Sequence, residues 1–161
     1  MPTILYNVPS RTGVNLSISA IEELAKADNI VGIKEASDSI DRLTALSVLS
    51  EKIALYSGND SQIYPTLSLG GLGVISVVSN AFPNAVKRIT ESYFRGDTAG
   101  SLSSQKEILA FTSLMFAETN PSPVKYALSV MGLCEEELRL PLTPPSDAVK
   151  KKINESLMQK G

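Results

Sequence analysis

Histidine is absent from all 161 residues. That absence removes Ser-His-Asp and Cys-His nucleophile systems and histidine-based zinc sites together. Cysteine is nearly absent: Cys134 stands alone, so no intramolecular disulfide can form. A lone cysteine reads as a small buried hydrophobe and fits a reducing cytoplasm. Long apolar runs are missing as well. The longest are strand-sized, well short of the ~20 residues a membrane span needs. The start, MPTILYNVP, has neither a basic n-region nor a small-residue cleavage site, so no signal peptide is expected. Charge of one sign is also lacking. With 15 basic and 17 acidic residues the formal charge is −2 and the pI is about 5.2, with no local basic cluster. Nothing here favours binding to nucleic acid or to an anionic membrane surface.

What is present suits a soluble globular chain: 43% apolar and 20% charged residues. Four short β-type runs stand out, Thr3–Asn7, Ile30–Lys34, Ile53–Ser57 and Gly73–Val77. They begin about 27, 23 and 20 residues apart, the length of one βα unit with its crossover helix. Helical patterns lie between them. In Ser17–Ala27, Ile18, Ile21, Leu24 and Ala25 share a face, with Ser17 or Ser19 as cap. Asp38–Ser50 repeats apolar residues at Ile40, Leu43, Leu46 and Leu49, and Asp60–Leu69 is shorter. Near-continuous apolar strands alternating with amphipathic helices predict a parallel sheet covered by helices, an α/β fold. After Val77 the pattern turns helical throughout: Pro83–Arg95, Thr98–Ala117, Ser122–Met131 and Ser146–Gln159. Pro83 and Pro123 fall where a first helical turn tolerates proline.

Each strand run ends in polar or special residues: Tyr6 and Asn7, Lys34 and Glu35, Gly58 to Asp60, Ser79 and Asn80. In parallel α/β folds, sites form at these C-terminal strand ends. Lys34 therefore has two readings. It either snorkels to solvent or pairs with Glu35, or it sits desolvated as an amine able to attack a carbonyl and form a Schiff base. In LYNVPSRTGVNL, residues 5–16, Tyr6 either packs in the core or relays protons. Arg11 either points at water or forks onto a substrate carboxylate. SGND, residues 57–60, is an ordinary turn or a close backbone approach to a ligand. LGGLGV, residues 69–74, precedes its strand and reads as an αβ turn rather than a phosphate loop. Glu135–Glu137 read as a solvated first helical turn rather than a metal site.

Taken together, LYNVPSRTG (5–13), GIKEAS (32–37), SGND (57–60), GGLGVISV (70–77), NPSPVKYAL (120–128) and LRLPLTP (138–144) resemble the pyruvate-dependent class I aldolase family. That family includes dihydrodipicolinate synthase and N-acetylneuraminate lyase, and the arginine of PSRTG favours the dihydrodipicolinate synthase branch. The resemblance implies that Lys34 forms an imine with pyruvate and that Tyr6 shuttles protons. It implies that Arg11 binds the carboxylate of aspartate semialdehyde. Gly58 and the backbone of Ile75 would line the site around the keto acid. No metal and no organic cofactor are implied, because the imine itself is the electron sink.

The family's complete fold is a TIM (β/α)8 barrel with a C-terminal helical extension. Here the first matching element is the family's fifth strand, so the resemblance implies the C-terminal half. Residues 1–82 would be a half barrel of four parallel strands with helices. Residues 83–161 would be the last barrel helix and the extension. The family's Gly-Thr-Thr-Gly-Glu segment, the tyrosine given by a neighbouring subunit and the lysine-feedback site have no counterpart. A half barrel with two open edges and an uncovered inner face is expected to form a homo-oligomer. Its activity alone is expected to be weak or nil. Two other readings stand beside this one: a non-catalytic half barrel that self-associates or docks with an N-terminal half, and a related pyruvate aldolase with another aldehyde acceptor.

Overall fold

The computed structural model describes residues 1–158. Its sheet follows from side chains alternating across each strand. Strands β1 (Thr3–Asn7), β2 (Ile30–Glu35), β3 (Ala54–Ser57) and β4 (Gly73–Val74) pair in parallel, in the order β1-β2-β3-β4. The register sets Leu5 beside Ile33 and Ile33 beside Leu55. One residue later it sets Tyr6, Lys34, Tyr56 and Gly73 in a row. The first row lies under helices and the second lies on the uncovered face. The architecture is that of half a (β/α)8 barrel, followed by further helices.

The covered face packs on α2 (Ile18–Leu24) and α3 (Ile40–Ser47), which follow a single turn α1 (Pro9–Thr12). Ile21, Ile33, Leu43, Leu46, Leu49, Ile53 and Leu55 form one buried cluster. Each such side chain, once fully buried, contributes about 1.5–3 kcal/mol before entropy is counted. Ser17 caps α2 by accepting the Ala20 N–H, and Ser39 caps α3 by accepting the Arg42 N–H. Both satisfy donors that a helix start leaves unpaired.

The remaining helices build a second core. They are α4 (Ile63–Ser68), α5 (Pro83–Phe94), α6 (Thr98–Met115), α7 (Ser122–Val130) and α8 (Asp147–Met158). Ile63, Leu67, Val78, Ile89, Ile108, Phe111, Met115, Ala127 and Ile153 meet there. Phe82 and Phe111 stack edge to face, with centroids 4.8 Å apart. Pro83 and Pro123 occupy the first turns of α5 and α7. No described helix is long and apolar enough to cross a membrane. The end of the expected helix Ser146–Gln159 and of the tail to Gly161 lies outside the described residues.

Four expectations need correction. The run Gly73–Val77 pairs as a strand only over Gly73–Val74, because the N–H groups of Val77 and Val78 go instead to the Asp60 carboxylate. The segment Asp60–Leu69 opens with a 3-10 turn, Asp60–Gln62, before α4. Cys134 is exposed, not buried. Glu135–Glu137 lie in irregular chain. Gly132 in the left-handed region, φ 72°, ends α7, and Pro141, Pro144 and Pro145 keep the following segment from becoming helix.

Candidate active site

Alternation removes the pairing with Glu35 from the readings of the strand-end lysine. Lys34 and Glu35 are neighbours in β2, so they leave the sheet on opposite faces. Glu35 is fully buried among the helices and pairs there with Arg42 at 2.8 Å. It is out of reach as a partner for Lys34, and among the described residues no carboxylate pairs with that lysine. Lys34 lies on the uncovered face, half-buried, with its Nζ 4.2 Å from the centre of the Tyr6 ring. The register that places Tyr6 directly beside Lys34 creates this contact. A cation over that ring face is attracted by its quadrupole.

A cleft of about 380 Å³ gathers the expected residues. Tyr6, Arg11, Lys34 and Gly58 all line it, with Asn59, Thr112 and Asn120 completing the walls. Arg11 sits in α1, which Gly13 closes at φ 73° by donating its N–H to the Pro9 carbonyl. Its guanidinium donates to the Asn120 carbonyl at 3.3 Å, so the loop before α7 grips it across the cleft mouth. Gly58 donates its N–H to the Glu35 carbonyl at 2.6 Å. A Cβ at Gly58 would stand 2.6 Å from the Ala36 Cβ, so only glycine lets these strand ends approach. Ile75 does not line this cleft. One residue past β4, it is partly exposed on the open face, and its N–H is taken by the Ser57 carbonyl at 2.9 Å.

Other residues of the site carried no assigned role in the sequence. Asp60 is buried, accepting from the Val77 N–H at 2.9 Å, the Val78 N–H at 3.1 Å and the Ser76 hydroxyl. It thereby ties the end of β3 to the chain after β4. Gln105 of α6 donates to the Asp60 carbonyl at 2.9 Å and accepts the Tyr64 N–H at 3.0 Å. This bond seats α6, and with it Thr112, against the strand ends. The Thr112 hydroxyl is buried without a hydrogen-bond partner. The polar run SGND was the signal for Asp60, and the NPSPVKYAL motif begins with Asn120; nothing local marked Thr112.

Side chains of this type can carry imine chemistry. An amine can attack a ketone, a neighbouring phenol can move protons, and a guanidinium at the mouth can hold a carboxylate. Among the described residues no group of three or more histidine, cysteine, aspartate or glutamate side chains is placed to hold a metal ion.

Comparison with known proteins identifies the family and the fold. The family model described as the dihydrodipicolinate synthetase family matches residues 1–160. The 4-hydroxy-tetrahydrodipicolinate synthase of Alkaliphilus oremlandii is 41% identical over 158 residues, covering 98% of this chain and 54% of the relative. That of Clostridium perfringens is 43% identical over 162 residues, covering 100% of this chain and 56% of the relative. Among solved structures, dihydrodipicolinate synthase from Thermotoga maritima superposes with a TM-score of 0.97 at 38% identity, covering 100% of this chain and 56% of that one. The Acinetobacter baumannii enzyme, solved in complex with pyruvate, gives 0.93 at 38% identity, covering 98% and 55%. The chain thus spans about half the length of the relatives it matches.

Proposed function

The chain belongs to the dihydrodipicolinate synthetase family, and from that premise we propose that it carries the Schiff-base half of an aldolase site, with Lys34 as the nucleophile toward pyruvate. The observation that carries this reading is Lys34 Nζ over the Tyr6 ring at 4.2 Å, in the cleft that Arg11 and Gly58 also line. The amine of Lys34 attacks the keto carbon of pyruvate, and water leaves to give the imine. Loss of a proton from the methyl carbon gives an enamine, whose carbon attacks the aldehyde of aspartate semialdehyde. Tyr6 moves protons in these steps, and Arg11 holds the carboxylate of the acceptor. The backbone at Gly58 faces the keto acid. Residues 1–82 are the half barrel, and residues 83–161 the last barrel helix and the extension that closes one wall of the cleft.

A second reading, a non-catalytic half barrel that docks onto other chains, draws support from one observation. Ile4, Tyr6, Val31 and Ile75 on the open face and Leu72 at its edge are 41–54% exposed. The two readings part on proton exchange. In D2O, the chain should exchange the methyl protons of pyruvate faster than its Lys34→Ala variant does, followed by NMR. Equal rates would refute the imine chemistry. Full condensation with aspartate semialdehyde should be very slow for this chain alone, because the sheet surrounds the cleft on only one side. Robust turnover would mean that a second copy completes the site.

A further inference from the structure

Tyr6, Lys34 and Arg11 meet on the open side of the sheet, yet Tyr6 and Lys34 each adjoin, in sequence, a member of one hydrogen-bonded cluster on the covered side, and the turn of Arg11 leads into it. Asn7 follows Tyr6, Glu35 follows Lys34, and Asn15 and Leu16 lie just past the turn that carries Arg11. These neighbours converge on the buried Glu35 carboxylate. Its Oε1 accepts from Asn7 Nδ2 at 2.8 Å and from the Ser37 N–H at 2.8 Å. Its Oε2 accepts from Arg42 Nε at 2.8 Å. Asn7 reaches onward, donating to Asn15 Oδ1 at 2.9 Å and accepting the Leu16 N–H at 3.0 Å. Arg42 closes the circuit by donating to the Leu16 carbonyl at 2.6 Å.

We propose that Glu35 is a positioning residue for the imine site: through Asn7, Ser37 and Arg42 it sets where Tyr6, Lys34 and the Arg11 turn stand. The inference rests on the reading of Lys34 as the imine-forming lysine. Three features carry it. The arm through Asn7 ends beside Tyr6, and the arm through Arg42 reaches the Leu16 carbonyl, past the turn that carries Arg11. The bonds are directional, so they fix strand height and loop path more tightly than apolar packing would. Consecutive strand residues share a backbone and leave it on opposite faces, so a shift of the β2 main chain at Glu35 carries Lys34 with it. An ion pair this deeply buried is a poor device for stability alone, since an apolar pair of similar volume often does as well.

Reductive methylation with 13C-formaldehyde gives each lysine an NMR signal, and loss of one signal in Lys34→Arg assigns Lys34. The Tyr6 ring beneath it should shift that signal away from those of solvated lysines. In Glu35→Gln one of the two acceptors becomes an N–H₂, which faces either the Arg42 donor or the Asn7 and Ser37 donors. The variant is expected to melt cooperatively, to move the Lys34 signal to the solvated position, and to form the pyruvate imine at least about tenfold more slowly. A folded Glu35→Gln with an unmoved signal and an unchanged imine rate overturns the proposal. If that variant does not fold, Asn7→Ala decides, because it cuts the link to β1 and leaves the Glu35–Arg42 pair whole. There too an unmoved signal refutes the proposal and a moved one supports it. Should the unsubstituted chain form no imine at all, the functional reading fails, while the signal shift still reports whether Glu35 places Lys34.

Discussion

At the scale of single residues, Lys34 shows what a sequence can and cannot reveal. Its place at the end of an apolar run was legible, as were Tyr6, Arg11 and Gly58 from the motifs around them. Which face Lys34 leaves by was not, because that depends on pairing register, and register is a property of two strands. The buried acceptor role of Asp60 was hidden for the same reason, since its partners lie about 17 residues away. Gly58 gives the sharpest test here. An added methyl group would meet Ala36 Cβ at 2.6 Å and the Glu35 carbonyl at 2.9 Å, so the β2 and β3 ends must part. Gly58→Ala should lose about 1–3 kcal/mol of stability in urea unfolding and most of its imine formation. An unchanged midpoint would show that the strand ends are looser than the hydrogen bond between them implies.

At the scale of elements, strands β1 to β3 were legible because buried parallel strands are almost uniformly apolar. Strand β4 was overestimated because Ile75 to Val77 look equally apolar, and the competing acceptor, Asp60, is distant in sequence. The helix cores were found and their ends came out shorter, as fits termini set by single caps such as Ser17 and Ser39. The acidic run Glu135–Glu137 misled because a helical first turn and a tether look alike in sequence. In the structure Glu136 meets Lys150 of α8 at 2.6 Å. The hydrogen bond to Glu136 raises the Lys150 pKa above its usual 10.5, against a lowering by desolvation, and the charges of Glu136, Tyr126 and Asp147 add to the rise. A raised folded-state pKa means this contact stabilises fully below the unfolded lysine value and fades as pH climbs through the folded one. Lys150→Met should therefore melt below the unsubstituted chain at about pH 9, and the gap should narrow at a higher pH, above the usual lysine value. A gap that persists at the higher pH would assign the effect to packing of the lysine stem.

At the scale of the whole molecule, the described residues leave one face of the sheet open, and its outer strands β1 and β4 each pair on one side only. Helices α2 and α3 pack on the other face. Exposed apolar side chains beside unpaired edges favour association, so the isolated chain is expected to sediment as an oligomer at micromolar concentration. A stable monomer there would mean that the open face is tolerated in water. The half-barrel architecture was legible from four strand units at the spacing of βα repeats and from family motifs in order. The way α6 and the Asn120 loop close the cleft was not, because contacts across about 109 residues, such as Arg11 to Asn120, leave no local pattern. The central claim concerns one atom, Lys34 Nζ. The most direct measurement is to incubate the chain with pyruvate and borohydride, which reduces an imine to a stable amine, and to map the modified peptide by mass spectrometry. The account predicts a single adduct on Lys34, absent in Lys34→Arg. No adduct, or labelling scattered over the other lysines, would contradict it.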